Sequence, residues 1–177
     1  MNKSYFLQGT KVGLNKLTVE AMNANYFNWL NDTEVTNGIE AGVFPSTQED
    51  IENYVRNANI GKESVLFGIF DRETSSHVGN IRVSSINQIH RTCMLGIIIG
   101  EASARGKGFG LEATQLLVNY IFGSLNMNKI WLYVFDDNAT AKKMYEKLGF
   151  ITEGNLKQQF FKNGRYHDMF VMSLFKK

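Results

Sequence analysis

The sequence predicts an α+β fold in a single domain over residues 1–177, with one mixed, mostly antiparallel sheet. The length of 177 residues suits one domain. With 44% hydrophobic and only 20% charged residues, the chain has enough apolar surface for a core, which excludes a mainly disordered protein. Hydrophobic spacing changes between period two and period 3.6 in the order β, α, α, three strands, α, β, α and further strands. We therefore expect about seven strands and about four helices.

The N-terminal third is predicted to contain one strand and two helices. Weak alternation over residues 11–18 indicates the strand, and apolar residues at helical spacing from residue 19 indicate a helix that ends near residue 31. Residues 32–45 are rich in turn formers and have no clear period, so they predict a loop. A hydroxyl at Ser46 or Thr47, followed by acids in the first turn, predicts the start of the second helix.

The middle of the chain is predicted to form a hairpin, a buried strand and a helix. Apolar runs at residues 65–70 and 78–86 flank a segment of turn formers, which is typical of a hairpin. Residues 94–99 are almost uniformly apolar and indicate a buried central strand. Helical spacing returns after Gly110.

The C-terminal third is predicted to add one helix and several strands. Asn138 is placed to cap a helix that ends at Gly149, and the Asn163-Gly164 pair is typical of a hairpin turn. The predicted strands cover residues 130–135, 150–153, 156–161 and 166–175.

Charge is unevenly distributed along the chain, although the net charge is only +2. Seven acids and no Lys or Arg lie between Leu17 and Val55, while basic residues predominate in the second half. An anionic ligand is therefore expected against the second half, and the acidic stretch is either an ordinary solvated surface or a face toward a cationic ligand.

The composition also bears on the cellular compartment. Cys93 is the single cysteine and cannot form an intramolecular disulfide, which fits a reducing compartment. No apolar run approaches the ~20 residues needed to span a bilayer, and residues 1–10 lack the pattern of a secretory leader. We expect a cytoplasmic protein without membrane or nucleic-acid partners.

The segment Arg105, Gly106, Lys107, Gly108, Phe109 and Gly110 lies between a predicted strand and a predicted helix. Glycines there leave backbone N–H groups uncovered at a helix N-terminus, and the two basic residues add charge, so the segment predicts a phosphate site. The spacing does not fit a P-loop, because five residues separate Gly100 from Gly106 and Gly108 stands where the hydroxyl is needed. A dinucleotide-binding fingerprint beginning at Gly108 is an alternative, but a hairpin precedes it instead of a βαβ series.

Arg105, Gly108 and Gly110 match the pattern [Q/R]-x-x-G-x-[G/A] of the GNAT superfamily of acetyl-CoA-dependent N-acetyltransferases, and the chain resembles that family over residues 9–175. Asn138, Tyr145 and the following Glu-Lys-Leu-Gly-Phe resemble the second family signature. The subgroup that it resembles contains ribosomal-protein N-terminal, polyamine and bacterial surface-sugar acetyltransferases.

The resemblance implies a centrally splayed sheet and acetyl-CoA as co-substrate, with no metal. It implies that the backbone of Ile97, Ile98 and Ile99 binds the pantetheine arm and that residues 105–110 hold the pyrophosphate. Asn138 would contact the cofactor arm, and Tyr145 would donate a proton to the departing thiolate. Asn138 as a simple helix cap and Tyr145 as a core residue are the structural alternatives.

The resemblance leaves the general base open. Many members of the subgroup carry an acid two residues before the strand glycine, and here that position is Met94. His90, Glu101, His167 and Asp168 are reserve candidates. A non-catalytic acyl-CoA-binding domain on the same fold is the alternative that Met94 favours.

The acceptor of the acetyl group is expected to be a primary amine. Residues 26–35 resemble the first helix of transferases for bacterial surface-polysaccharide sugars, which makes an amino sugar, possibly nucleotide-linked, the first expectation. The acidic stretch favours instead a polyamine or a protein N-terminus. Phe160, Phe161 and Phe170 in the terminal hairpin leave room for a homodimer contact.

Overall fold

The computed structural model describes residues 4–39 and 41–177. Its strands are β1 (Leu7–Gln8), β2 (Val12–Lys16), β3 (Val65–Asp71), β4 (His77–Asn87), β5 (Thr92–Ile99), β6 (Lys129–Phe135), β7 (Ile151–Lys162) and β8 (Arg165–Phe175). They form one eight-stranded sheet in the order β1-β2-β3-β4-β5-β6-β8-β7. Only β5 and β6 pair in parallel, and all other neighbours are antiparallel. The predicted α+β class is confirmed, with eight strands in the described residues where about seven were expected.

Five α-helices and one 3-10 turn lie in the described part of the chain. They are α1 (Tyr26–Asn31), α2 (Thr33–Thr36), α3 (Gln48–Asn57), the 3-10 turn Ala102–Ala104, α4 (Phe109–Gly123) and α5 (Ala139–Lys147). The helix beyond the expected four is α2, in a segment that was predicted to be a loop. The Asp32 side chain accepts a hydrogen bond from the Glu34 amide at 2.8 Å and thereby caps this single turn.

The first helix is shorter than the sequence predicts, because it begins at Tyr26. The backbone amide of Asn23 donates to Nδ1 of His77 at 3.0 Å, and the Asn23 side chain donates to the His77 carbonyl at 3.1 Å. Residues that precede α1 are therefore held by β4 instead of by helical hydrogen bonds. A long-range contact overrides the local helical spacing here.

The two strands predicted over residues 150–161 are one strand, β7. Its pairing with β8 shifts register between Thr152 and Gly154 and again between Leu156 and Phe160. The predicted break is therefore a β-bulge inside a continuous strand.

Two local predictions are confirmed in detail. Thr47 and Asp50 form a reciprocal capping box at the start of α3. Asn163 and Gly164 both have positive φ, at 53° and 79°, as a tight hairpin turn between β7 and β8 requires.

The sheet buries a separate apolar cluster on each face. On one face α4 and α5 pack against the strands, with Ala113, Leu117 and Ile121 fully buried. On the other face α1 and α3 contribute Trp29 and Ile51 to a smaller cluster.

The sheet separates at its only parallel junction. Hydrogen-bonded pairing between β5 and β6 covers three residue pairs and ends at Met94 opposite Trp131. Beyond that point β6 continues against β8 alone, while residues 95–99 of β5 pair only with β4. The expected central splay is confirmed.

Glu112 on α4 ties this helix to the turn between β1 and β2. Its carboxylate accepts hydrogen bonds from the backbone amides of Thr10, Lys11 and Val12 at 2.8 to 2.9 Å. A charged acceptor shared by three backbone donors is stronger than a neutral hydrogen bond, so Glu112 holds the N-terminal edge of the sheet on α4.

We expect Glu112→Ala to lower the free energy of unfolding by about 1–3 kcal/mol, because the three amides lose a charged acceptor. Urea denaturation measures the change. Glu146→Ala is the control, since Glu146 is exposed on α5 and makes no side-chain hydrogen bond or ion pair within the described residues. Equal stability of the two variants would contradict the tie.

Candidate active site

A cleft opens where β5 separates from β6. Ile97, Ile98 and Ile99 line a cavity of about 300 Å³ together with Asn138 at the start of α5. Residues 37–39, which follow α2, form the opposite wall. The structure therefore brings together two groups of predicted site residues that lie about 40 positions apart in the sequence.

The unpaired edge of β5 can bind an extended ligand. The backbone groups of residues 95–99 that face away from β4 have no strand partner in the described part of the chain. A chain that carries amide groups can pair with such an edge as an added strand. The cleft thus offers a linear row of donors and acceptors.

The glycine loop after β5 leads into the N-terminus of α4. Gly106 and Gly108 adopt positive φ values of 74° and 82°, and Gly108 is the N-cap without a side-chain hydrogen bond. The amides of the first helical turn are therefore uncapped by side chains, which favours an anion at this point. The helix begins at Phe109 and not after Gly110, and the Phe109 side chain is buried in the core. Phe109 is therefore suited to contact a ligand in the loop through its backbone amide.

Lys11 joins the cations of this loop. Its ammonium donates to the Lys107 carbonyl at 2.9 Å. Sequence reasoning missed Lys11, because 96 residues separate it from Lys107 and no local pattern connects them.

Arg105 is folded back onto the end of β5. Its guanidinium donates to the carbonyls of Ile99 at 3.4 Å and Gly100 at 3.1 Å. Arg105 therefore braces the junction between strand and loop in this structure. The guanidinium charge therefore lies beside the cleft residue Ile99, at the start of the predicted phosphate loop.

Asn138 caps α5, with its side-chain oxygen accepting from the Ala141 amide at 3.1 Å. Its amide nitrogen faces Gly38, where an added Cβ would lie only 2.7 Å from it. Asn138 thus fixes α5 and touches the opposite wall of the cleft at once. The alternative of a helix cap is realised, and it is compatible with ligand contact.

Contacts among Asp136, Asp137, Lys162 and His167 hold the junction between β6 and α5. His167 Nδ1 lies 3.0 Å from Asp136 Oδ1, and Lys162 donates to Asp137 at 2.9 Å and to the Asn37 carbonyl at 2.9 Å. The hydrogen bond from His167 is the main reason that the pKa of Asp136 lies below its usual value.

The ligand atoms of Asp136, Asp137 and His167 lie within 4.8 Å of one another, a grouping that could hold a metal ion. No local spacing of ligand residues predicts this grouping, because His167 is 31 residues from Asp136. Lys162 already forms an ion pair with Asp137, and Asp136 is hydrogen-bonded to His167, so the grouping is explained as a structural network of hydrogen bonds and one ion pair.

Tyr145 lies on the inner face of α5 and is only 5% exposed. Its ring packs at 5.4 Å from the ring of Phe150, and burial raises the pKa of its hydroxyl, which keeps the phenol protonated. The hydroxyl makes no hydrogen bond within the described residues. Tyr145 is not in the wall of the cavity that Ile98 and Asn138 line.

A second cavity of about 390 Å³ lies on the other side of β5, between the sheet and helices α1 and α3. Met94 and Gly96 of β5 form part of its floor, and Tyr26 and Tyr54 form part of its roof. The two cavities share Ile97 and Ile98. The two cavities therefore adjoin at the free end of β5.

None of the four reserve base candidates lines this second cavity. Asp168 is held by Lys157 at 2.6 Å, and this hydrogen bond is the main cause that lowers the pKa of Asp168 to about 2. His90 is exposed in the turn between β4 and β5, and His167 is bound to Asp136. The acid in the wall is Asp50, which is engaged in the capping box of α3.

Sequence reasoning also missed three polar residues of the second cavity. Asn80, Arg82 and Ser84 of β4 all line it. The signal was present, because they alternate at period two with Gly79, Ile81 and Val83.

No helix in the described part of the chain is both long enough and apolar enough to cross a bilayer.

Comparisons with known proteins agree with this geometry. A family model described as the acetyltransferase (GNAT) domain matches residues 11–151. Spermidine N(1)-acetyltransferase of Vibrio cholerae serotype O1 is 40% identical over 92 residues, which are 52% of this chain and 53% of the relative. The Escherichia coli K12 enzyme of the same name is 38% identical over 98 residues, 55% of this chain and 52% of the relative. These matches span about half the length of the relatives.

Longer matches cover nearly the whole chain. The uncharacterized N-acetyltransferase p20 of Bacillus licheniformis is 28% identical over 169 residues, 94% of each chain. The crystal structure of spermidine N-acetyltransferase from Vibrio cholerae in complex with CoA and spermine superposes with a TM-score of 0.84 and 28% identity, covering 93% of this chain and 95% of the other. The glycine loop, the splayed strand and these matches together show that the chain belongs to the GNAT acetyltransferase family.

Proposed function

We propose that this protein transfers an acetyl group directly from acetyl-CoA to a primary amine of a small acceptor. The observation that carries the proposal is the unpaired half of β5, which faces Asn138 on one side and leads into the uncapped N-terminus of α4. Such an edge suits the amide-bearing pantetheine arm, and the uncapped helix suits the pyrophosphate.

Each predicted binding residue has a role in this proposal. Ile97, Ile98 and Ile99 bind the arm through their backbone, and Asn138 contacts it from the start of α5. The amides of Gly106, Gly108, Phe109 and Gly110, with the charges of Arg105 and Lys107, hold the phosphates. Lys11 supports them, because it is already fixed on the loop carbonyl of Lys107.

Tyr145 is the proposed proton donor to the departing thiolate. Burial keeps its hydroxyl in the neutral form, which is the form that donates. Its hydroxyl is uncommitted to other groups in the described residues, so a bound thiol can become its partner.

The amine is proposed to approach from the second cavity, because that cavity shares Ile97 and Ile98 with the cofactor cleft. Met94 lies in its floor and cannot accept a proton. The reaction then depends mainly on alignment of a neutral amine with the thioester, with water removing the proton.

The comparisons favour a polyamine over the amino sugar that was expected first. Two of the relatives named above are spermidine N(1)-acetyltransferases, and one solved relative holds spermine. The acids Asp32 and Glu34 line a groove beside the cofactor cleft, where they can attract an ammonium group. A homodimer stays a proposal, for which the exposed Phe161 is the clearest contact residue.

We expect purified protein to release CoA thiol from acetyl-CoA when spermidine is added, at a rate at least about tenfold above hydrolysis. Glucosamine and a tetrapeptide with a free N-terminus complete the panel. A protein that binds CoA but responds to none of these amines would be a binding domain and would contradict the proposal.

Tyr145→Phe is expected to lower kcat by about 10²-fold with little change in the Kd for CoA, because the ring remains and only the proton donor is lost. Single-turnover kinetics measure the effect. Tyr166→Phe is the matched control, since Tyr166 is 62% exposed on the terminal hairpin. An unchanged kcat in Tyr145→Phe would remove this residue from the chemistry.

Replacing Arg105 and Lys107 together by Ala is expected to weaken CoA binding by about 10- to 100-fold, because two charged groups leave the phosphate site. Isothermal titration calorimetry with CoA and with dephospho-CoA measures the loss. Lys62→Ala with Lys143→Ala is the control for net charge, since both are exposed and lie on other elements. Intact affinity of the first variant would refute the assignment of the loop.

A further inference from the structure

Three polar side chains form a row on β4 that the proposed acetyl transfer does not use. Asn80, Arg82 and Ser84 alternate along the strand, so they point to the same face of the sheet, and all three line the second cavity. Their neighbours in register on β5 are Ile98, Gly96 and Met94, respectively. We call Asn80, Arg82 and Ser84 the β4 row.

Asn80 is 3% exposed, and only half of its amide is engaged. Its Oδ1 lies 2.8 Å from His77 Nε2. His77 Nδ1 accepts from the Asn23 amide, so Nε2 must carry the ring proton and donate to Asn80 Oδ1. This contact fixes the orientation of the amide and leaves Nδ2 as the free end.

Asn80 Nδ2 is buried and has no hydrogen-bond partner. The Tyr26 hydroxyl lies beside Asn80, close enough to interact electrostatically, but not with the distance and angle of a hydrogen bond. Because an unsatisfied buried donor is destabilising, its presence in a cavity wall indicates a ligand or water that accepts from it.

Arg82 shows the same feature in the same wall. Its two terminal nitrogens donate to Tyr54 at 3.4 Å and Ser64 at 3.3 Å, while its buried Nε has no partner. Its guanidinium lies 5.6 Å from the centre of the Tyr54 ring. No ion pair neutralises Arg82 among the residues that the structure describes. The acid in the same wall, Asp50, is occupied by hydrogen bonds from Thr47.

Ser84 extends the row toward Met94. It is 6% exposed, and its hydroxyl makes no hydrogen bond to the described residues. A hydroxyl can donate as well as accept, so it can complete a site for a group that accepts from Asn80 or Arg82.

The chemistry of the missing partner follows from this inventory. An ammonium or a protonated polyamine nitrogen offers only donors and a positive charge, so it cannot satisfy Asn80 or Arg82 and is repelled by Arg82. A hydroxyl, ether or carboxylate oxygen can accept a hydrogen bond from either donor. The donors in the cavity wall therefore favour a ligand that carries an oxygen acceptor.

We propose that the β4 row is a specificity site that binds a hydrogen-bond-accepting oxygen on the acceptor molecule, close to the amine that is acetylated. This inference rests on the proposed acetyl transfer and narrows its acceptor. Spermidine has no such oxygen and can react without filling the site, whereas amino sugars and oxygen-substituted aliphatic amines can fill it and are expected to react faster.

A pair of small amines isolates the oxygen. 1,3-Diamino-2-propanol and 1,3-diaminopropane carry the same two amino groups and differ by one hydroxyl. We expect kcat/KM to be about tenfold higher for the hydroxylated compound, which corresponds to one good hydrogen bond. Glucosamine and β-alanine, tested beside them, distinguish a hydroxyl from a carboxylate as the preferred oxygen. Equal rates for the matched pair would overturn the proposal and indicate that water fills the row.

Variants of the row connect the preference to its residues. Asn80→Asp keeps the oxygen that His77 contacts and removes the free donor, and Ser84→Ala removes the hydroxyl. Each is expected to reduce the tenfold preference to about twofold or less. Asn119→Asp and Ser124→Ala are matched exposed controls on α4 and at its C-cap, and they should keep it. A preference that survives both row variants would show that the oxygen binds elsewhere.

The readout separates this proposal from the proposed function. A ratio of two substrates cancels a general loss of activity or folding, so only recognition of the hydroxyl changes it. If no amine is acetylated, the proposed function fails, and the row is then tested by calorimetric binding of the same two diamines to the CoA-bound protein. Tighter binding of the hydroxylated compound supports the row, and equal binding overturns it.

Discussion

The short parallel ladder between β5 and β6 is the constraint on which the rest of the molecule depends. Three residue pairs hold the two halves of the sheet together, and pairing then stops while both strands continue. If the ladder ran on to Ile99, the edge of β5 would be consumed by β6 and neither cavity would be open to the other. The site is thus created by hydrogen bonds that are absent from an otherwise regular sheet.

The residues around the opening compensate for the lost strand pairing. Arg105 binds the last carbonyls of β5, and Asn138 closes the start of α5. Lys162 then links Asp137 to Asn37 across the mouth of the cleft. Side chains therefore hold the two walls at a fixed separation that the backbone no longer sets. This explains why charged and capping residues concentrate at one end of the sheet.

The features that the sequence predicted correctly are those decided within a few residues. The capping box at Thr47, the Asn163-Gly164 turn, the cap at Asn138 and the glycine loop all depend on local backbone chemistry. Two of the errors came from contacts between distant segments. His77 holds the residues before α1 out of a helix, and Lys11 reaches the loop of Lys107 from 96 positions away. The alternation of polar residues on β4 is apparent in the sequence. That two of their donors lack hydrogen-bond partners depends on the side chains that cover the strand, which the sequence does not show.

The two apolar clusters on opposite faces of the sheet divide the protein into parts with different freedom to change. The larger cluster supports α4 and α5, which carry the glycine loop and Tyr145, so substitutions in it disturb the half that is proposed to hold the acetyl donor. The smaller cluster supports α1 and α3, which roof the second cavity. Since the clusters are separated by the sheet, residues of the roof other than Trp29, which packs on Gly100, can vary without repacking the donor half. An architecture of this kind lets the proposed acceptor side diversify in part through the N-terminal third of the chain, which supplies its roof.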